Sequence, residues 1–199
     1  MRKGEQTRRA IIRKAAPIFN TKGYEGTALS ALMRATGLEK GGIYRHFASK
    51  QQLAAEAFDY SWQAAVTRRL EGLPESLNAV DRLKEIVRNF RDRRNGLVPG
   101  GCPLLNTAID SDDGNHVLRS RAQRALSSWL DRLGAIAKEG QRRGEIRSDV
   151  NSEELSALIV STLEGGLMMS RLQRNDKPLD IACRHLEEYM ETNIRPSNA

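Results

Sequence analysis

Residues 27–50 read TALSALMRATGLEKGGIYRHFASK, and this stretch decides the fold. Leu29, Leu32 and Met33 recur at the spacing of one helical face, which predicts a first short helix. Thr27 stands just before it and is predicted as its N-cap, because a threonine hydroxyl can accept an amide hydrogen of the first turn. The stretch is therefore expected to open with a capped amphipathic helix.

A tight break and a second short helix follow. Gly37 stands after the last polar turn, where a chain leaving a helix usually adopts a left-handed conformation. Between residues 40 and 47, Ile43 and Phe47 lie four apart on one side, and the cationic and polar side chains point elsewhere. Two short helices joined by a tight turn are typical of a helix-turn-helix motif, whose second helix lies in the major groove of DNA.

The composition of this second helix also favours contact with DNA. Gly41 and Gly42 each cost about 1 kcal/mol relative to alanine in a helix, a cost that is understandable if the backbone must approach a bulky partner. The run Tyr44, Arg45 and His46 adds charge and hydrogen-bond donors. The alternative that stays open is a plain three-helix packing with a basic face.

Residues 7–60 resemble the DNA-binding domain of the TetR family of bacterial transcriptional repressors. The resemblance is carried by short motifs, namely Ala15-Ala16, Phe19, Lys22-Gly23-Tyr24, Gly26-Thr27, Gly37-Leu38, Lys40-Gly41, Tyr44, His46-Phe47 and Ser49-Lys50. It implies phosphate contacts from Thr27, Tyr44, His46 and Lys50. It implies base contacts from Lys40, Gly41, Gly42 and Arg45, and Ala28 completes the DNA-binding set. Beyond residue 60 the chain resembles the family in helical layout and length.

Net charge is concentrated on the same segment. The chain of 199 residues has a formal net charge of +7. Residues 1–60 hold 11 Lys and Arg against 5 Asp and Glu, whereas residues 61–199 hold 21 against 20. An excess of positive charge beside a helix-turn-helix motif indicates a polyanionic partner, which here is double-stranded DNA.

The sequence also indicates the compartment. No apolar run approaches the roughly 20 residues of a membrane span, and no apolar segment of a signal peptide follows the basic N-terminus. Cys102 and Cys183 lack any paired spacing, which favours a reducing environment over a disulfide framework. We therefore expect a cytoplasmic protein without a membrane partner.

Helical periodicity continues through the rest of the chain, with no strand pattern. Helices are predicted over residues 5–22, 49–71, 78–95, 103–110, 116–143 and 151–174, and a last one from Pro178. Ser49 with Gln52 forms a capping box, and Tyr24 is expected to fold back on Phe19 in a Schellman motif. We predict an all-α fold, with a three-helix helix-turn-helix domain over residues 1–48 and a six-helix effector-binding and dimerisation domain over residues 49–199.

A homodimer is expected because one short reading helix contacts few base pairs. Two copies spaced about one DNA turn, ~34 Å, would read a palindrome. The last two long helices are apolar enough to pair with their copies as a four-helix bundle, although each also fits an intramolecular core.

The family resemblance implies a small-molecule effector pocket among the middle helices. The residues proposed for it, each of which also fits plain core, are Phe90, Cys102, Leu105, Asn106, Trp129, Glu164, Leu167 and Met168. Cys102 follows two glycines at a predicted helix N-terminus, where the helix dipole favours thiolate. This position suggests a sensor of electrophiles or oxidants, with an ordinary half-buried cysteine as the alternative.

No sequence feature indicates an enzyme. His46, His116 and His185 lie far apart without metal-ligand spacing, and no nucleophile motif or phosphate-binding glycine loop occurs. We therefore expect no cofactor, no metal and no catalytic residue. The function predicted is a sequence-specific transcriptional repressor released from a palindromic operator by a small-molecule or thiol-reactive effector. The alternatives are a non-specific architectural DNA-binding protein and a small-molecule carrier with a vestigial DNA-binding head.

Overall fold

The computed structural model describes residues 3–74, 76–92, 98–111 and 114–196, and over these ranges it contains helices and no strand. The helices are α1 (Lys3–Lys22), α2 (Leu29–Thr36), α3 (Lys40–Tyr44), α4 (Lys50–Arg69), α5 (Ala79–Arg91), α6 (Pro103–Ser111), α7 (His116–Arg142), α8 (Ser152–Gln173) and α9 (Lys177–Tyr189), and a π-helical turn, Met190–Ile194, follows α9. The predicted all-α fold is confirmed. Apart from α3 and the end of α5, the predicted helix bounds agree within two residues. Helix α5 ends at Arg91, short of the predicted residue 95, which lies outside the described residues.

Two compact units divide the chain. One comprises Met1–Val66 and Gly96–Ala125, and the other comprises Thr67–Asn95 and Leu126–Ala199. Helix α4 therefore begins in the first unit and ends in the second. The domain boundary between residues 48 and 49 stays a prediction.

The core of the first unit holds the helix-turn-helix together. Its buried members come from α1, α2, the segment around α3 and the start of α4, and they are Ile11, Ala15, Leu32, Ile43, Phe47 and Leu53. Helix α2 ends at Gly37, whose φ is +71° and whose N–H donates to the Met33 carbonyl at 2.9 Å, as predicted. These contacts fix the position of α3 within this unit.

Thr27 does not cap α2, so that prediction is wrong. The N-cap position is occupied by Ala28, which has no side chain able to accept a hydrogen bond. Thr27 is fully buried, and its hydroxyl donates to the Gly23 carbonyl at 2.6 Å. A buried hydroxyl needs a partner, and the nearest acceptor lies at the end of α1 rather than at the start of α2.

Helix α3 is shorter than predicted and ends at Tyr44 instead of Phe47. The N–H of His46 donates to the Ile43 carbonyl, three residues back, at 3.0 Å. This tighter turn directs Phe47 into the core, where it is 1% exposed. Ser49 then caps α4 as predicted, since its Oγ accepts the Gln52 N–H at 3.1 Å.

In the second unit, a glycine of α7 allows close packing. A Cβ added at Gly140 would lie 2.5 Å from the Cβ of Ala79 and 2.9 Å from Cδ1 of Ile146. A Cβ added at Gly134, on the same helix, would make only an ordinary contact of 3.5 Å with Ser156 Oγ. Gly140 is therefore required by packing, and Gly134 is not.

We predict opposite effects of alanine at these two positions. Gly140→Ala should lower the free energy of unfolding by roughly 1–3 kcal/mol, because the added methyl group overpacks the core. Gly134→Ala should leave it unchanged or raise it by up to about 1 kcal/mol through helix propensity. Urea denaturation followed by circular dichroism measures both, and equal effects of the two changes would contradict the packing described here.

Candidate nucleic-acid interface

Helix α3 presents a polar and cationic surface because its large apolar side chain is buried in the core. Ile43 is 1% exposed. Lys40, Gly41 and Arg45 are exposed, and the remaining predicted contact residues of this segment, Gly42, Tyr44 and His46, are half-buried. Within the described part of the chain, neither Lys40 nor Arg45 forms an ion pair. These cations are therefore available to an external anion.

The fold itself does not require glycine at position 41. A Cβ added there would meet nothing within 4 Å, and its φ is not positive. At Gly42 the nearest atom would be the Cβ of Leu38 at 3.3 Å, which is a close but internal contact. Gly41 therefore carries its helix-propensity cost without an internal reason.

The start of α4 forms one flank of this surface. Lys50, its first residue, is half-buried, and its Nζ lies 4.4 Å from the centroid of the Tyr24 ring. Burial, with smaller contributions from the charges of Glu25 and Tyr44, raises the pKa of Tyr24 above its ordinary value, so the ring stays neutral beneath the ammonium group. This contact orients Lys50 and leaves its charge beside the positive end of α4, a favourable place for a phosphate.

The start of α2 carries the two other predicted contact residues, Thr27 and Ala28. Ala28 is exposed, and its contact with DNA stays a prediction. Thr27 is fully buried and its hydroxyl is bonded to the Gly23 carbonyl, so its side chain does not belong to the exposed surface. Contact here would have to come from the backbone amides at the beginning of α2.

Helix α6 lies in the first unit and contacts the end of α1 and the turn that follows it. The contact is a polar cluster that sequence reasoning missed. Asn106 Nδ2 donates to the carbonyl of Asn20 at 2.9 Å and to that of Gly100 at 2.8 Å. The amide of Tyr24 donates to Asp110 Oδ2 at 2.7 Å. The predicted Schellman hydrogen bond from Tyr24 to α1 is therefore absent, and α1 ends in the simpler αL cap, in which the Gly23 N–H donates to the Phe19 carbonyl at 3.0 Å.

The residues predicted for an effector pocket fall into two groups. Cys102, Leu105 and Asn106 lie in the first unit, where Cys102 is 4% exposed and Asn106 is engaged with Asn20. The cavity beside α6 in this unit measures about 20 Å³, enough for one water molecule. The proposal that Cys102 senses electrophiles or oxidants stays a prediction.

The other group lies in the second unit. Phe90, Trp129 and Glu164 converge there on Arg69, a residue that sequence reasoning missed. Leu167 is buried nearby in α8, whereas Met168 is 45% exposed. No local sequence signal distinguishes Arg69 from the neighbouring Arg68, because the partners of Arg69 lie on α5, α7 and α8.

Neither a metal-binding group nor a membrane-spanning helix is found among the described residues. They contain no group of three or more His, Cys, Asp or Glu side chains placed to hold a metal ion. Among the described helices, none combines the length and the apolar character that crossing a bilayer would demand.

The chain matches two family models. Residues 11–57 match the model described as bacterial regulatory proteins, tetR family. Residues 79–186, more than half of the chain, match the tetracyclin repressor-like C-terminal domain. The first match contains the helix-turn-helix, and the second contains Phe90, Trp129 and Glu164.

Two solved structures resemble the whole chain, and a curated protein resembles most of it. A TetR transcriptional regulator from Chloroflexus aurantiacus is 43% identical, with a TM-score of 0.94 over 99% of this chain and 100% of that one. A TetR-family regulator from Cytophaga hutchinsonii is 33% identical, with a TM-score of 0.93 over 100% of this chain and 99% of that one. The HTH-type transcriptional repressor DhaR of Mycobacterium sp. (strain GP1) is 26% identical over 176 residues, which are 87% of this chain and 86% of that protein.

Gly41→Ala tests the surface of α3 directly. The free energy of unfolding should stay unchanged or rise by up to about 1 kcal/mol, because the methyl group meets no protein atom and favours the helix. Affinity for duplex DNA should fall about tenfold or more, because the methyl group occupies space that the DNA requires. Gly134→Ala, the same change on α7, is the matched control and should leave DNA affinity unchanged.

Urea denaturation and fluorescence anisotropy with labelled duplex measure the two quantities. Undiminished DNA affinity of a folded Gly41→Ala protein would remove this surface from the interface.

Proposed function

Because the chain belongs to the TetR family of bacterial transcriptional regulators, we propose that it is a repressor that binds a palindromic operator as a homodimer and is released by a small molecule. The family membership makes the chain a helix-turn-helix DNA-binding regulator and not an enzyme. The operator, the effector and the dimer are parts of the proposal. The observation that carries it is the outward surface of α3, with two exposed cations and a glycine that the fold does not need.

The residues of the surface divide into two roles. Lys40 is the first residue of α3 and Arg45 follows its last residue; both are exposed, and arginine can bond two acceptors of guanine at once. Lys50, Tyr44 and His46 are half-buried at its edges, which suits contacts to phosphates that fix position and carry no sequence information. We therefore propose that bases are contacted by Lys40, Gly41, Gly42 and Arg45. The phosphates of the DNA backbone are contacted by Lys50, Tyr44 and His46.

Two substitutions separate these roles. Arg45→Ala should cost about 1–3 kcal/mol of binding to the preferred duplex and should relax the choice of sequence at one position in each half-site. Lys50→Ala should weaken preferred and scrambled duplexes about equally and lower the salt slope by about one per contact. Lys138→Ala, which removes an exposed cation from α7, is the control for net charge.

The measurement is anisotropy with the duplex that the wild-type protein enriches from random sequence, and with a scrambled duplex, at several salt concentrations. A wild-type protein that shows the salt effect but no sequence preference would be the non-specific architectural binder. Identical behaviour of Arg45→Ala and Lys50→Ala would refute the division of roles.

Helices α8 and α9 carry the proposed dimer interface. The second unit exposes large apolar side chains there, and these are Leu158, Met168, Met169, Leu172 and Ile181. Leu172 is 78% exposed. A cluster of exposed apolar residues on two neighbouring helices is typical of a surface that another chain covers. A second copy suits it because two reading heads are needed for a palindrome.

Leu172→Glu tests this surface, because a charge at a dimer interface would have to be desolvated. The variant should be monomeric at micromolar concentration and should lose most of its operator affinity. Ile109→Glu places the same charge at a 67% exposed isoleucine of α6 and should remain dimeric. Analytical ultracentrifugation decides between the two, and a monomeric wild-type protein would contradict the proposal outright.

The effector is proposed to bind in the second unit, where Phe90, Trp129 and Glu164 meet. This site offers two aromatic rings and a carboxylate, each mostly buried. A ligand releases DNA only if it binds better to the conformation that cannot hold the operator.

A further inference from the structure

Arg69 is a charged side chain buried inside the second unit. It is 5% exposed, which is rare for arginine, since burying a guanidinium requires compensating contacts. Its guanidinium carbon lies 4.7 Å from the centroid of the Phe90 ring and 5.5 Å from that of Trp129. Both distances lie within the ~6 Å limit of a cation–π contact.

A carboxylate also lies beside this guanidinium. Glu164 Oε1 lies 3.8 Å from Arg69 Nη2, and the side chain of Glu164 is 14% exposed. This separation suits charge attraction but exceeds a hydrogen bond. The neighbouring Arg68 differs, because it is hydrogen-bonded to Glu71 and Asp92 near the surface and has a side chain 28% exposed.

Two aromatic faces and a buried carboxylate are the components of a receptor for an organic cation. Aromatic rings attract guanidinium and substituted ammonium groups through their negative faces, and the attraction strengthens when water is excluded. A carboxylate adds the net charge that distinguishes a cation from a neutral molecule of the same shape. An anionic ligand that displaced Arg69 would instead leave Glu164 facing a like charge without its cationic partner.

The backbone of Arg69 is held independently of its guanidinium. Asn89 Nδ2 donates to the carbonyl of Arg69 at 3.2 Å and to that of Glu71 at 2.8 Å. The end of α4 is thus capped from α5. The side chain of Arg69 can leave its position without removing this cap.

We propose that Phe90, Trp129 and Glu164 form a cation-binding cage in which Arg69 is a built-in occupant, and that the effector is an organic cation that displaces it. This inference rests on the proposed function, because it names the chemical class of the effector. Arg69 is the last residue of α4, and Lys50, the proposed phosphate contact, is its first. Displacement of Arg69 therefore acts on the helix that carries this phosphate contact.

The test empties the cage and refills it with a small cation. Arg69→Ala removes the guanidinium and leaves space for methylguanidinium, whose neutral isostere is methylurea. Isothermal titration calorimetry should show one methylguanidinium bound per chain and none of methylurea, with a rise in the melting temperature. Arg69→Ala with Glu164→Gln should bind at least about tenfold more weakly, because the carboxylate charge is gone.

Wild-type protein and Arg68→Ala are the matched controls. Both keep Arg69 in the cage, so both should bind methylguanidinium more weakly than Arg69→Ala does. If Arg69→Ala does not fold, Arg69→Met, which keeps most of the apolar stem, takes its place. It is then compared with and without Glu164→Gln. If neither folds, the wild-type protein is titrated with tetramethylammonium, and binding that Glu164→Gln does not weaken overturns the proposal.

The outcomes separate this inference from the proposed function. A folded Arg69 variant that binds no cation, or that binds methylurea equally well, overturns the cage. In the wild-type protein, cation binding that leaves operator affinity unchanged confirms the cage and overturns its role as the effector site. Release of DNA by a neutral or anionic molecule, without cation binding, overturns the inference and leaves the repressor function intact.

Discussion

Burial of Ile43 and Phe47 is the constraint on which the DNA-binding surface depends. Both side chains are 1% exposed in the core shared by α1, α2 and α4, and they fix the rotation of α3 about its own axis. Once those two residues point inward, Lys40, Gly41 and Arg45 must point outward. The proposed DNA-binding surface is therefore a consequence of packing, and its chemistry depends on the few residues that the core does not use.

Much of this head was predictable because its signals are local. Apolar spacing located α2 and α3, and Gly37 marked the break between them. The failures concern hydrogen bonds whose partners are distant in the chain. Thr27 was predicted to cap α2, but its burial turns the hydroxyl towards the Gly23 carbonyl. The amide of Tyr24 is bonded to Asp110, 86 residues away, and nothing in the local sequence indicates that partner.

The second unit shows the same limit at a candidate site. Phe90, Trp129 and Glu164 were predicted as pocket residues, partly from a family resemblance, and the structure brings these three together. Arg69 at their centre was not predicted, because its aromatic and acidic contacts come from three other helices. Helical periodicity identifies which residues are buried, but it does not identify which buried residues meet. The inference about the chemical class of the effector therefore depends on contacts between residues that lie far apart in the chain.

Methylation protection of guanine N7 tests the central claim, that α3 lies in the major groove of duplex DNA. N7 lies in the major groove, so a bound helix shields it from dimethyl sulfate. On the duplex that the protein enriches from random sequence, we expect two clusters of protected guanines about one helical turn, ~34 Å, apart. Binding that leaves every guanine N7 reactive would contradict the account.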